Sequence, residues 1–196
     1  MAKRIFDIIF SLIGIILLLP LFIIISLWIM IDSKGGVFYI QQRIGKNGKP
    51  FGLYKFRTMY VDSDKKGLLT VGGRDPRVTK AGYWLRKYKL DELPQLFNVL
   101  KGDMSIVGPR PEVKKYTDLY TEEQRKVLSV KPGITDYASI EYVDENEVLA
   151  KSSNPEKTYI EEIMPHKLEL NKKYILNKGL ITDLKIILLT IKKIIR

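Results

Sequence analysis

The chain contains no cysteine and a single histidine, His166. The first absence excludes a disulfide scaffold, a thiolate zinc site and a cysteine nucleophile. The second excludes a multi-histidine metal centre and most histidine-based triads. A catalyst built on this sequence leans on carboxylates, hydroxyls, Lys and Arg. Two nucleotide-binding signatures are also missing: there is no G-x-G-x-x-G, and no Gly-Lys-Ser/Thr follows the glycines of Gly45–Pro50. No module that reads nucleic acid is recognisable either. With 45% hydrophobic and 28% charged residues in 196, the composition is neither disordered nor collagen-like, and the length favours one domain with an appendage.

Charge is absent from one long stretch and concentrated in others. Residues 1–33 carry Lys3, Arg4, Asp7 and Asp32, which cancel. Residues 34–132 carry 21 basic and 10 acidic groups, residues 133–169 carry 3 and 9, and residues 170–196 carry 7 and 1. The local balances of 0, +11, −6 and +6 sum to the chain's +11. A basic body with an acidic belt and a basic tail points to polyanions: nucleic acid, anionic lipid or phosphorylated metabolites.

From Ile8 to Ile31 there is no charge at all. These 24 residues, as a helix, rise roughly 36 Å, enough for a hydrocarbon core of about 30 Å. The run is too long for a signal peptide and ends without a small-residue cleavage site. Basic residues flank both ends, so the positive-inside rule gives no orientation for a simple span. Pro20 near the middle removes a backbone hydrogen bond and predicts a kink. The two arms, 8–19 and 21–31, each reach about half a bilayer. Two readings stand: a re-entrant helix–break–helix, or a spanning helix with a tolerated proline. Membrane attachment is common to both.

The tail, 178–196, repeats lysine at Lys178, Lys185 and Lys192 among isoleucines and leucines, with Thr182 on the same stripe. A narrow basic stripe on a broad apolar helix suits a membrane interface with anionic headgroups. The alternative is a helix packed on the domain with its lysines in water. Between leader and tail, Val37–Ile40 and Phe51–Met59 flank the Gly45–Pro50 turn and read as a β-hairpin. Asp62-Ser63-Asp64 is a D-x-D of the kind that can hold a metal–diphosphate in sugar-nucleotide enzymes, but the pattern is common by chance and a solvated polar loop is the favoured reading.

The most informative stretch is Tyr83–Pro111. Leu90-Asp91-Glu92-Leu93-Pro94 reads as a helix start with Asp91 as N-cap, Pro94 in the first turn and Gly102 as the stop. Leu93, Leu96, Phe97 and Leu100 follow at helical spacing. A helix N-terminus favours an ionised carboxylate, phosphate and, beside a second carboxylate, Mg²⁺. Nearby cations are Lys55, Arg57, Arg74, Arg77, Arg86, Lys87, Lys89 and Arg110, the last stiffened between Pro109 and Pro111. A helix cap with surface ion pairs explains the same residues.

Taken in order, these segments resemble the monotopic phosphoglycosyl transferases, the bacterial sugar transferase family. The matching pieces are Lys3-Arg4-x-x-Asp7 before the proline-broken leader, Tyr54–Met59, Asp75–Thr79, Leu85-Arg86, Leu90–Leu96, Asn98–Ser105, Gly108–Pro111 and Lys131–Thr135. They cover residues 1–135 collinearly. The resemblance implies transfer of a sugar 1-phosphate from a UDP-sugar to polyprenyl (undecaprenyl) phosphate with release of UMP. It implies Asp91 as the nucleophile of a covalent, ping-pong route, and Glu92 as its support. Lys55, Arg86 and Arg110 match phosphate-binding positions, with Arg57, Arg77 and Gln95 as secondary candidates; Asp91 also matches a Mg²⁺ ligand.

The match departs at Leu19-Pro20, where family members often have Ser-Pro, and after Thr135. There Asp136–Val143 replaces the family's Gly-Leu-Ala-Gln-Val-Asn-Gly-Arg, leaving no counterpart for an arginine linked with the nucleotide-sugar end. The expected architecture is an α-rich α/β fold: a monotopic membrane protein with a re-entrant N-terminal helix, a small β-hairpin and interfacial amphipathic helices. The boundaries expected are a membrane helix over 1–34, a catalytic core over 35–135, an acidic sugar-side segment over 136–177 and an interfacial helix over 178–196. The expected setting is the cytoplasmic face of a bacterial inner membrane, with no nucleic-acid partner. Two competing functions remain: a Mg²⁺-dependent glycosyltransferase using Asp62 and Asp64, and a non-enzymatic basic membrane adaptor.

Overall fold

A computed structural model describes residues 2–63 and 75–195, without the side chains of 194 and 195. Asp64 and Arg74 lie outside the described residues. The chain opens with α1 (Ala2–Asp32), which runs through Pro20 without interruption. At 1.5 Å per residue it is about 46 Å long. The break expected at Pro20 does not divide it into two elements, because contacts on both sides of the proline hold a single helix. Asp7, Ser11, Phe22, Ile25 and Ile29 are buried, Leu18 packs on the same cluster as Phe22, and Gly14 lies against Leu96. That stripe recurs at helical spacing down the whole helix.

Polar groups fasten both ends of α1 to the same body. Asp7 accepts from Ser105 Oγ at 2.9 Å and from the Ile106 N–H at 3.0 Å. Arg4 donates to the Val99 and Leu100 carbonyls, in the last turn of another helix, at 2.6 and 2.8 Å. Far along α1, the Asp32 carboxylate accepts from the Ala81 N–H at 3.0 Å. The opposite face is left bare: Ile9, Ile13, Leu17, Ile24 and Ile31 are all exposed.

The hairpin forms as expected, with β1 (Phe38–Ile44) antiparallel to β2 (Pro50–Phe56). Its turn takes positive φ at Asn47 and Gly48, the residue types that tolerate it. Next come α2 (Lys80–Lys87), capped by Thr79, and α3 (Gln95–Lys101), closed by Gly102 at φ 103°. A second, parallel pair joins β3 (Ser105–Val107) to β4 (Gly133–Thr135), with α4 (Lys114–Thr117) and α5 (Glu122–Arg125) between them. Here Gly108 and Gly133 touch backbone to backbone: a Cβ on Gly133 would sit 2.1 Å from the Gly108 nitrogen. That contact explains why Lys131–Thr135 and Gly108–Pro111 carry glycine.

After β4 follow α6 (Tyr137–Glu141), α7 (Glu145–Ala150), α8 (Pro155–Thr158), a π-helical turn over Tyr159–Ile163, α9 (Met164–Leu176) and α10 (Leu180–Ile195). The acidic belt is therefore largely helical and encloses a core of Tyr116, Tyr120, Leu149, Tyr159, Ile163 and Leu168. Only a narrow edge of α10 packs inward. Asp183 and Ile186 are fully buried, while Ile181, Leu184, Leu188 and Ile191 are exposed. Asp183 meets Lys3 Nζ at 2.5 Å and Tyr174 OH at 2.8 Å, tying the last helix to the first. The fold is helix-rich with small sheets and one long apolar N-terminal helix, compatible with a monotopic membrane protein.

Candidate active site

The dyad does not begin a helix in the way its spacing suggests. Lys89 ends the α2 turn with a left-handed backbone, φ 56°, and Leu90–Glu92 form a 3₁₀ turn. Pro94 then precedes α3, so Asp91 caps nothing. The competing demand is packing: Leu90 and Leu93 both join the cluster around Phe22, Phe56 and Leu85. The expected core face of α3 is also displaced. Gln95, Asn98 and Val99 are the buried residues, while Leu96 faces α1 and Phe97 meets the Phe22 ring. Asn98 pins α3 to the hairpin, accepting from the Tyr54 N–H and donating to the Gly52 carbonyl.

This turn presents Asp91 and Glu92 to a cleft of about 660 Å³, also lined by Lys55, Arg86, Lys89 and Arg110. The size suits a small-molecule substrate. The two carboxylates are held very differently. Arg110 forks both Glu92 oxygens, with Nη1 to Oε2 at 2.9 Å and Nη2 to Oε1. Lys55 Nζ adds a contact to Oε1 at 3.4 Å. Burial opposes ionisation of Glu92, but the Arg110 and Lys55 charges outweigh it and hold the carboxyl well below its ordinary range. The Glu92 charge in turn raises the Arg110 guanidinium.

Asp91 is only 8% exposed, and among the described residues no side chain forms an ion pair or hydrogen bond with it. Burial and then the Glu92 charge push its carboxyl up, while Lys55, Arg86 and Arg110 pull it down. Burial likewise lowers the Lys55 ammonium, against the pull of Glu92. An unclamped carboxylate beside a clamped one, inside a ring of cations, is chemically able to act as a nucleophile or as a cation ligand next to negative charge that the cations hold.

Arg110 is itself positioned from below. Its backbone N–H donates to Asp136 Oδ2 at 3.1 Å, and the other Asp136 oxygen caps α6 at the Ser139 N–H, 2.6 Å away. Asp136 is completely buried and stands at the first position where the family resemblance fails. The secondary candidates fall elsewhere. Arg57 is turned to the end of α1, donating to the Ser33 hydroxyl and the Ser33 and Gly36 carbonyls. Arg77 forks Asp75. Gln95 is buried with its Nε2 unpartnered among the described residues. Asp62 sits in a turn at φ 64° and is absent from the cleft lining; Asp64, its partner in the D-x-D, lies outside the described residues.

A polar group that sequence reasoning missed fills one side of the cleft. Arg43 meets Glu112 at 3.4 Å, Lys167 meets Glu145 at 2.8 Å, and Lys167 lies over the Tyr159 ring. The acidic belt was the visible signal for Glu145. Nothing in the sequence marks the π-helical turn that begins at Tyr159, a feature frequent at functional sites.

A divalent cation finds a limited donor set. No cluster of three or more His, Asp or Glu groups occurs among the described residues, and Glu92 has both oxygens engaged. Within the dyad, Asp91 is the carboxylate left available. That fits Mg²⁺, which is commonly held by one or two carboxylates together with substrate phosphates and water.

Comparison with known proteins agrees with the motif series. The model of the bacterial sugar transferase family matches residues 1–196. A Bacillus subtilis protein named the uncharacterized sugar transferase EpsL is 45% identical over 159 residues, 81% of this chain and 70% of that one. A second B. subtilis protein, provisionally designated an undecaprenyl-phosphate N-acetylgalactosaminyl 1-phosphate transferase, is 49% identical over 121 residues, 62% of this chain and 68% of that one. The Escherichia coli UDP-glucose:undecaprenyl-phosphate glucose-1-phosphate transferase is 36% identical over 197 residues, 98% of this chain but only 40% of its own length. With the family match running the full length, this chain belongs to the bacterial sugar transferase family.

Proposed function

We propose that the protein transfers a sugar 1-phosphate from a UDP-sugar to polyprenyl phosphate, releasing UMP through a covalent intermediate on Asp91. The asymmetry of the dyad carries this reading: Glu92 is immobilised by Arg110 and Lys55, and Asp91 is left to react. An Asp91 oxygen attacks the sugar-proximal phosphorus, the bond to the bridging oxygen breaks, and UMP leaves with the bond electrons. An oxygen of the lipid phosphate then attacks the same phosphorus and restores the carboxylate. Splitting the transfer keeps the two anionic substrates from having to meet in one step. Lys55, Arg86 and Arg110 hold phosphoryl oxygens. Asp91 would hold Mg²⁺, which would supply further charge neutralisation at the phosphates.

The membrane geometry belongs to the same proposal. α1 stays within the cytoplasmic leaflet, embedded along its bare face with both ends returned to the domain, the re-entrant and not the spanning arrangement. The fastening of Lys3, Arg4 and Asp7 at one end and Asp32 at the other supports this. A crossing helix would carry one of those ends away from the domain. On α2, Tyr83, Trp84 and Tyr88 are exposed, aromatic residues of the kind found at membrane–water interfaces.

Two measurements test the chemistry. Mixing enzyme and UDP-sugar without lipid gives a burst of UMP equal to the enzyme concentration, and no UDP. Release of UDP, or absence of the burst, contradicts the route. The second reads Lys55. Only its protonated form binds phosphate well, so kcat/KM for the donor falls as pH rises through a lysine value pushed below the usual 10.5. Lys55→Arg stays protonated and moves that basic limb to higher pH. An unmoved limb shows that another group sets it.

A further inference from the structure

The loop that carries Arg110 has few ways to be held. Pro109 and Pro111 have no N–H, so the Arg110 N–H is the sole backbone donor of the three residues. The Pro109 carbonyl accepts from the Gly133 N–H at 3.0 Å, and the Pro111 carbonyl accepts from Arg43 Nη1 at 3.2 Å. Arg110 lies between those two ties, at the root of a long side chain whose far end forks Glu92. The close Gly108–Gly133 contact and the pairing of Val107 with Thr135 bring the first residue after β4 beside this root. That residue is Asp136, fully buried, with Oδ2 on the Arg110 N–H and Oδ1 on the Ser139 N–H. The helix it caps, α6, contributes Ala138, Ser139 and Ile140 to the cleft lining.

We propose that Asp136 is a positioning residue of this site. Its carboxylate ties the root of Arg110 to the α6 wall, so the guanidinium and the wall keep one fixed relation to the dyad. This rests on the proposed transfer only in giving Arg110 work at the donor phosphates. Three observations favour positioning over a helix cap alone. A cap needs one acceptor, and serine or asparagine supplies it as well as aspartate does. Here both oxygens are used, the second on a residue 26 positions away in the sequence. A buried carboxylate also costs more desolvation than a neutral cap, so its second bond has a use that capping does not explain. Finally, the carboxylate stands where the family's motif has glycine, which has no side chain to reach Arg110.

The test is a double-mutant cycle on the full chain in phospholipid vesicles, with undecaprenyl phosphate as acceptor and a UDP-sugar that the wild type turns over. Asp136→Asn and Asp136→Ser each keep one acceptor for the α6 cap and lose the second bond to Arg110. Each lowers kcat/KM for the donor about tenfold, the scale for a small misplacement of a charge-stabilising group. In an Arg110→Ala background the same substitutions change it by less than about twofold, because no guanidinium is left to position. A melting curve on each sample reports folding. An equal loss in both backgrounds, wild-type kinetics in the single variants, or loss of cooperative unfolding in both of them overturns the proposal. The UMP burst is read separately. Its absence in the wild type overturns the covalent route, while the cycle still decides the role of Asp136.

Discussion

Asp91→Asn lowers turnover by about 10⁴-fold or more while leaving the fold intact. Loss of a nucleophile removes a whole step, and effects of that size are typical when one member of a catalytic unit is deleted. Asparagine has nearly the same shape but cannot form the acyl phosphate. Removal of the Asp91 charge also orphans no described side chain, and it takes a buried, partly repelled carboxylate away from Glu92. Thermal unfolding should therefore occur at the wild-type temperature or slightly above it. Steady-state UMP release and a melting curve on the same sample decide the point. Residual turnover within tenfold of wild type means another group attacks.

Arg110→Ala follows with a loss of about 10²- to 10³-fold in kcat/KM, the scale expected for one preorganised charge-stabilising donor. Two effects combine. The guanidinium no longer meets phosphate oxygens, and Glu92 loses the fork that keeps it ionised and fixed, leaving Lys55 at 3.4 Å. A buried carboxyl without its principal partner rises toward protonation. Arg110→Lys recovers only part of the activity, because a single ammonium cannot span both oxygens. Equal kinetics for Arg110→Lys and wild type would show that charge alone matters at this position.

Some of these features were legible in the sequence, and the reasons differ by element. The uncharged run in α1 and the Gly45–Pro50 turn are local signals, written in composition and in residues that tolerate positive φ. The unbroken path through Pro20 is not local, since it depends on what Phe22, Ile25 and Ile29 pack against. The 3₁₀ turn at Leu90–Glu92 defeated the N-cap reading for a similar reason: a leucine on each side of the dyad is claimed by the core. Strands of three residues, Ser105–Val107 and Gly133–Thr135, are too short to show a period of two. The dyad and Arg110 were visible as types and spacing. The division of labour between Asp91 and Glu92 was not, because it is set by the three-dimensional reach of Arg110 from a residue 18 positions away. Arg57 shows the converse: in sequence it resembles its neighbour Lys55, yet it fastens the end of α1.

The most direct test of the central claim is the intact mass of the protein after brief mixing with UDP-sugar in the absence of lipid, followed by acid quench and peptide mapping. The account predicts a mass increase equal to one sugar phosphate, carried by the peptide that contains Asp91 and discharged when polyprenyl phosphate is added. UMP release at full rate with the protein mass unchanged, or an adduct on any other residue, would contradict it.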